Sequence, residues 1–405
     1  MQSENRSSLP LVAISCACLI ALLAFGPRSA MGFFQIPMLE HHGWDRSIFG
    51  FAMALQNLCW GLGQPLFGLI SDKFGTWRVL FLGALLYLSG LLMMSFAGTP
   101  LWFYIGGGVL VGLGVGACSF GVILAAIARL VSPERRSFAF GLGTAAGSAG
   151  MFVFAPVSQG LIDSLGWADS LIAISAIMLI IPILAIPLKG NAQGRKQAGS
   201  LDQTVSEALK EAFATRGYVL LTAGFFVCGF QVAFITAHFP AYISDLGIEA
   251  RWAVVAISAI GFFNIIGSLA SGVLGERFPK PIMLAWIYIG RSIAITLFLL
   301  IPASPLTVIA FSVVMGVLWL STVAPTNSLV AIMFGTRYLG MLGGIVFFNH
   351  QLGSFLGVWL GGVLYDRTGS YDAIWWIGVG LGIFAAIVHW PIKEAPVERA
   401  ALTGS

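Results

Sequence analysis

The feature that most constrains this sequence is a succession of apolar runs, each broken off by a short charged or Gly/Pro-rich stretch. Runs of roughly 20 or more residues with few charges match the length of helix that crosses a bilayer. Inside lipid each backbone N–H and C=O must be bonded within its own segment, which leaves the helix as the reading. The runs lie near 9–36, 45–71, 77–98, 101–129, 137–162, 167–188, 217–244, 250–275, 281–301, 305–334, 338–364 and 371–391. The expected fold class is therefore all-α and integral to the membrane, with twelve transmembrane helices. Only 9% of residues are charged, against about 25% in soluble domains, which excludes a soluble globular protein. No convincing small-residue cleavage site follows the first run, so it is read as a retained span.

One connection is long. Residues 189–216 hold Lys189, Gly190, Arg195, Lys196, Asp202 and Glu207, and they divide the chain into halves at 1–188 and 217–405. With the N-terminus inside, 16 of the 21 lysines and arginines fall on the cytoplasmic side; Arg46, Arg251 and Arg367 fall outside. The positive-inside rule then predicts two cytoplasmic termini, in a bacterial-type inner membrane. The halves also repeat. An offset of 203 residues pairs Gly26 with Gly229, Pro37 with Pro240, Gly150 with Gly353 and Asp163 with Asp366. Two parallel six-helix repeats predict pseudo-symmetric bundles about an axis along the membrane normal, with a central site between them.

Arg28 interrupts the first run after an uncharged stretch from Leu11 to Pro27. A guanidinium does not deprotonate, and placing it in lipid costs at least ~2.5–3.5 kcal/mol, so it needs an anion or a water-filled cavity. The competing reading is a snorkelling side chain tied to carbonyls freed by Pro27. Arg291, in the middle of the ninth run, is read as structural, bonding carbonyls or a neighbouring polar group, with substrate contact as the second reading.

The connection between the second and third runs reads Gly68-Leu-Ile-Ser-Asp72-Lys73-Phe-Gly75-Thr-Trp-Arg78. It resembles the signature loop of the major facilitator superfamily, Gly-x-x-x-Asp-(Arg/Lys)-x-Gly-x-x-(Arg/Lys), and the second half repeats it in part as Gly272-x-x-x-Glu276-Arg277. The resemblance implies the major facilitator fold and a conformational latch at these residues. Within the superfamily, Phe25-Gly-Pro27-Arg28-Ser29 is similar to the first helix of the monocarboxylate transporters, where a Pro-Lys-Ser carries a substrate-engaging cation. Arg135-Arg136-x-x-Ala139-x-Gly141 and Gly362-x-x-x-Asp366-x-x-Gly369-Ser-Tyr371 fit that family and its bacterial relatives, including oxalate/formate exchangers. The family's eighth helix carries an Asp and an Arg four apart; Asn264 and Ser268 stand at those places here. The resemblance thus implies an anion site at Arg28 without the family's coupling acid.

A polar lining is expected from Gln231, Asn264, Asn349 and His350, with Gln231 at the repeat position of Arg28. His350 and His238 are the candidates for carrying a proton, since no Asp or Glu lies near the middle of a run. As the plainer reading, a helical histidine is an interhelical hydrogen bonder. The five cysteines all lie in apolar runs and suggest neither a disulfide framework nor a metal site. Gly112-Leu-Gly114-Val-Gly-Ala117 loosely matches a dinucleotide fingerprint but follows no strand, so it reads as helix packing. An enzyme, a cofactor and a nucleic-acid partner are not expected. The sequence predicts a monomeric secondary transporter moving a small organic anion by alternating access. One central cation with neutral partners matches a monocarboxylate, moved by exchange, facilitated transport or proton symport. An exporter of drug-like or aromatic compounds, suggested by Phe33, Phe34, Trp60, Phe152, Trp319 and Phe347, and a non-transporting receptor or scaffold are the rivals.

Overall fold

The structure is a computed structural model and describes residues 11–119, 122–123, 126, 136–188, 204–335 and 338–397, without the side chains of residues 69, 72, 73 and 136–141. In chain order its spans are α1 (Leu11–His42), α2 (Arg46–Phe74), α3 (Thr76–Ser95), α4 (Pro100–Ala117), α5 (Arg136–Leu165) and α6 (Trp167–Leu184) in the first half. The second half holds α7 (Arg216–Asp245), α8 (Ala250–Leu274), α9 (Lys280–Leu300), α10 (Pro305–Phe334), α11 (Leu339–Thr368) and α12 (Asp372–His389). Eleven helices are long and apolar enough to cross a membrane among the described residues; α2, 29 residues long and packed between α4 and α11, is the twelfth. The described residues contain no strand.

The ends of these helices follow from local chemistry. Pro100 and Pro305 open α4 and α10, where a missing N–H costs nothing. Between α2 and α3 the chain turns on the single residue Gly75, at φ 92°, a conformation that side chains with a Cβ avoid. Outside the spans, Thr204 and Glu207 form a reciprocal cap on the short helix Val205–Ala214. The Thr204 backbone N–H and hydroxyl hold the Glu207 carboxyl below its usual range.

Three spans depart from a plain α-helix. After Pro27, α1 tightens into a 3₁₀ turn over Met31–Phe34. In α4 the run Tyr104–Leu110 widens to π-helical pitch, and Gln56 of α2 donates to the Gly107 carbonyl (2.8 Å). The sequence suggested one continuous tenth helix; α10 instead breaks between Leu318 and Val323, ahead of Pro325, whose ring cannot donate to the preceding turn.

Glycines of the internal repeat make the close contacts within each half. A Cβ on Gly150 of α5 would lie 2.5 Å from the Leu22 carbonyl of α1, and one on Gly353 of α11 would lie 2.0 Å from the Phe226 carbonyl of α7. The α1–α5 and α7–α11 contacts are therefore counterparts. Two large seams join the halves, α2 against α11 and α5 against α8, and the turns of α1 beyond Met31 also pack on α7.

At the end remote from the termini the α2–α11 seam is shut. Arg46 at the start of α2 makes a two-pronged ion pair with Asp245 at the end of α7 (2.6 and 2.7 Å). Its guanidinium lies 3.7 Å from the Tyr365 ring centroid and donates to the Tyr371 hydroxyl. The backbone N–H groups of Arg46 and Ser47 donate to Asp366 of α11 (3.0 and 2.8 Å). Further in, Gly50 meets Gly362 and Gly61 meets Gln351. The same antiparallel register sets Gly68 opposite Gly344, and a Cβ on either would meet nothing within 4 Å. Among the described residues, the seam is closed at the Arg46 end and parted at Gly68 and Gly344.

Candidate substrate site

Arg28 stands where α1 changes pitch. It lines a cavity with Met31, Met53, Gln56 and Asn57 on one side and Ala233, Thr236, Ala237 and Val358 on the other, so α1, α2, α7 and α11 all contribute. The guanidinium donates from Nη2 to Asn57 Oδ1, and its Cζ lies 4.5 Å from the Trp60 ring centroid. Asn57 spends its own Nδ2 on the Met53 carbonyl (2.8 Å), which leaves Oδ1 to accept from Arg28. Among the described residues Arg28 Nε has no partner and no carboxylate pairs with the guanidinium. The bonds to carbonyls that a snorkelling residue would make are not those formed. A cation with a free donor in a cavity between two halves has the chemistry to receive an anion.

The other polar residues singled out in the spans fall in several places. Gln231 lies inside the second half, donating to the Gly378 carbonyl (2.8 Å) and accepting from Arg291 (3.4 Å), away from the Arg28 cavity lining. Arg291 is fully buried and donates to the Leu318 and Trp319 carbonyls, which the break in α10 leaves without helical partners. Asn264 serves the same break: Oδ1 accepts from Leu320 N–H (3.1 Å), while Nδ2 donates to Ser148 of α5 (3.0 Å) across the seam. Asn349 donates to the Thr222 carbonyl (2.7 Å). His350 stacks on Phe347 at 5.7 Å and keeps Nδ1 without a partner. His238 is fully buried under the shut end, in contact with Gln35, Tyr371 and the Val358 carbonyl.

Sequence reasoning passed over Asn57 and Gln351 as members of the site and gave Trp60 only to the exporter reading. Trp60 touches Phe25 at 5.6 Å and Phe347 at 5.3 Å, so rings from α1, α2 and α11 run on from Arg28 towards His350. Gln351 is fully buried, and neither amide atom has a partner. Arg46, Asp245 and Asp366 were also missed as a group, since their juxtaposition joins positions some 200 and 320 residues apart. Of the other aromatics, Phe33, Phe34 and Trp319 are buried in packing and Phe152 is 47% exposed.

Against known proteins, the profile of the Major Facilitator Superfamily matches residues 16–358 and 256–404. The chain belongs to this superfamily. It is a multi-pass membrane transporter, not an enzyme. It is similar to the MFS-type transporter YcxA of Bacillus subtilis, with 25% identity over 92% of this chain and 93% of that one. Monocarboxylate transporter 13 of Rattus norvegicus is 28% identical over 81% of this chain and 77% of its own, and monocarboxylate transporter 12 of the same species is 27% identical over 81% and 74%. Among solved structures, a D-xylose-proton symporter superposes with a TM-score of 0.75 at 16% identity, covering 96% of this chain and all of that one. A bacterial homologue of the lysosomal transporter Spinster gives 0.72 at 14%, covering 95% of both. These two likenesses speak for the fold alone.

The superfamily's signature loop sits at the parted end. Gly75 forms its turn, Arg78 caps the Phe74 carbonyl (3.2 Å), and Gly68 faces open space. The side chains of Asp72 and Lys73 lie outside the described residues, as do Arg135, Arg337, the side chains of Arg136, Ala139 and Gly141, and residues 189–203 of the long connection. In the second half Glu276 and Arg277 are exposed and make no ion pair with another described residue.

Proposed function

We propose that this chain moves a small organic anion, a monocarboxylate, across the membrane by alternating access, with Arg28 as the carboxylate's partner. The observation that carries this is the Arg28 guanidinium: a cation in a cavity shared by both halves, with a free Nε and no described carboxylate beside it. A single cation with a neutral amide, Asn57, balances one negative charge, and Arg291 supplies no second because its donors are spent on α10. The similarity to monocarboxylate transporters 12 and 13 supports the same class. With the basic loops inside, both termini are cytoplasmic and the shut end faces out. The two six-helix bundles, 1–188 and 217–405 with 189–216 as linker, rock about Arg28, and Asp72, Lys73 and Arg78 with Glu276 and Arg277 latch the inner end when it closes. A monomer suffices for this cycle.

The test is counterflow in proteoliposomes against a panel of labelled carboxylates. Exchange of at least one, abolished in Arg28→Ala protein that still folds, is the expected outcome; unaltered affinity in that variant would sink the assignment. We take exchange or facilitated movement over proton symport, because an unloaded Arg28 resists crossing without an anion. His350, with its unpartnered Nδ1 beside the ring series, is the observation that favours symport instead. Accumulation driven by a pH gradient at clamped voltage, lost in His350→Gln, would decide for it.

A further inference from the structure

We infer that the Arg28 cavity and the strip beside it take an aromatic monocarboxylate bearing a ring hydroxyl: carboxylate at Arg28, ring against Trp60 and Phe347, hydroxyl at Gln351. The inference rests on the anion reading above and extends it from a charge to a shape.

The geometry along α2 carries it. Asn57, Trp60 and Gly61 stand at i, i+3 and i+4, so they share one face of the helix. Asn57 holds Arg28, Trp60 lies under Arg28 and edge-on to Phe347, and Gly61 abuts Gln351, whose Cβ would be 2.8 Å from a Cβ placed there. The carboxylate receptor, the aromatic wall and the amide therefore follow one another along a single seam. A buried amide with both atoms unpartnered is rare, because each lost hydrogen bond leaves a desolvated dipole. Among the described residues, Gln351 has two such atoms and is 0% exposed, and Trp60 Nε1, one residue before Gly61, is unpartnered as well. A free amide offers a donor and an acceptor at once. A hydroxyl is the small group that answers both, whereas a ketone or ether oxygen uses the N–H alone.

A short aliphatic acid would neutralise Arg28 and leave Gln351 and the rings bare. An unsubstituted aryl acid would cover the rings and still leave the amide unpaired. Rejection of analogues that lack the hydroxyl follows from the same unpaired groups. The competing account makes Gln351 a seam residue that finds partners when α2 and α11 separate; it predicts no discrimination among ligands.

Calorimetric titration of the full chain in detergent with lactate, benzoate and 4-hydroxybenzoate tests this. Wild type binds 4-hydroxybenzoate about tenfold more tightly than benzoate, and benzoate more tightly than lactate. Gln351→Met removes the amide at nearly constant volume, and it lowers 4-hydroxybenzoate affinity about tenfold while holding benzoate within about twofold. Gln351→Asn, which keeps the amide but draws it back, gives an intermediate loss. Arg28→Ala removes binding of all three. Equal wild-type affinity for lactate and 4-hydroxybenzoate overturns the inference and leaves the anion reading standing, and so does an equal loss for every ligand in Gln351→Met. Absence of binding by any carboxylate brings down both.

Discussion

Arg28 and Arg291 lie well inside their spans, away from the helix ends, and their surroundings assign them opposite jobs. Arg291 spends its donors on carbonyls released by the broken α10, so its replacement leaves those acceptors bare in a buried position. Each stranded carbonyl costs about 1–3 kcal/mol. Arg291→Met is expected to lower the melting temperature sharply, and any protein that survives purification should bind carboxylate with wild-type affinity. Arg28 has one side-chain acceptor and a free Nε, so Arg28→Ala should melt within a few degrees of wild type while transport is lost. Melting curves and counterflow on the same two samples check the pair; a stability loss in Arg28→Ala as large as that in Arg291→Met would contradict it. The sequence reading separated the two, giving Arg28 an anion and Arg291 carbonyls or a neighbouring polar group, but the break in α10 that supplies those carbonyls was not legible. An amide in an apolar helix reads the same whether it mends a broken neighbour, as Asn264 does, or faces a cavity, as Asn57 does, because only rotation about the helix axis separates the two.

Among the helices, length and spacing of apolar residues were enough to place the spans, since a bilayer leaves the backbone no alternative. The pitch changes in α4 and α10 were not legible, for they depend on partners from other spans: Gln56 for the Gly107 carbonyl, Arg291 and Asn264 for the gap in α10. Glycine counts marked the repeat without saying which glycines touch. Here α11 gives an internal comparison. Gly353→Ala would drive a methyl to 2.0 Å from the Phe226 carbonyl and should cost about 1–3 kcal/mol by forcing α7 and α11 apart. Gly344→Ala, about two and a half turns earlier and facing open space among the described residues, should be neutral or stabilise by about 0.5–1 kcal/mol through helix propensity. Urea or heat unfolding of the two variants decides; equal destabilisation would mean that the α7–α11 contact is not where glycine matters.

For the molecule as a whole, two seams set the balance between its open states, and the α2–α11 seam is held at one end by Arg46, Asp245 and Asp366. Arg46→Ala removes the ion pair and the stacking on Tyr365, so the equilibrium should move towards states parted at that end. A cysteine at Gly50 then reports the shift: an impermeant thiol reagent added from that side should label it faster in the Arg46→Ala background than with Arg46 present. Unchanged labelling would show that the glycine contacts alone hold the seam. The Arg46–Asp245 pair is also only partly covered, with side-chain exposures of 14% and 27%, and it touches one bathing solution. Dissolved ions screen charges only beyond about 8 Å at physiological strength and about 3 Å at 1 M, and the pair, at 2.6 Å, lies inside both lengths. Raising salt in the compartment that bathes Arg46 should therefore leave the closed end in place, and an unchanged labelling rate at high salt checks this. The resting state of the carrier is thereby kept independent of the salinity outside that end, and net movement follows the driving gradients alone.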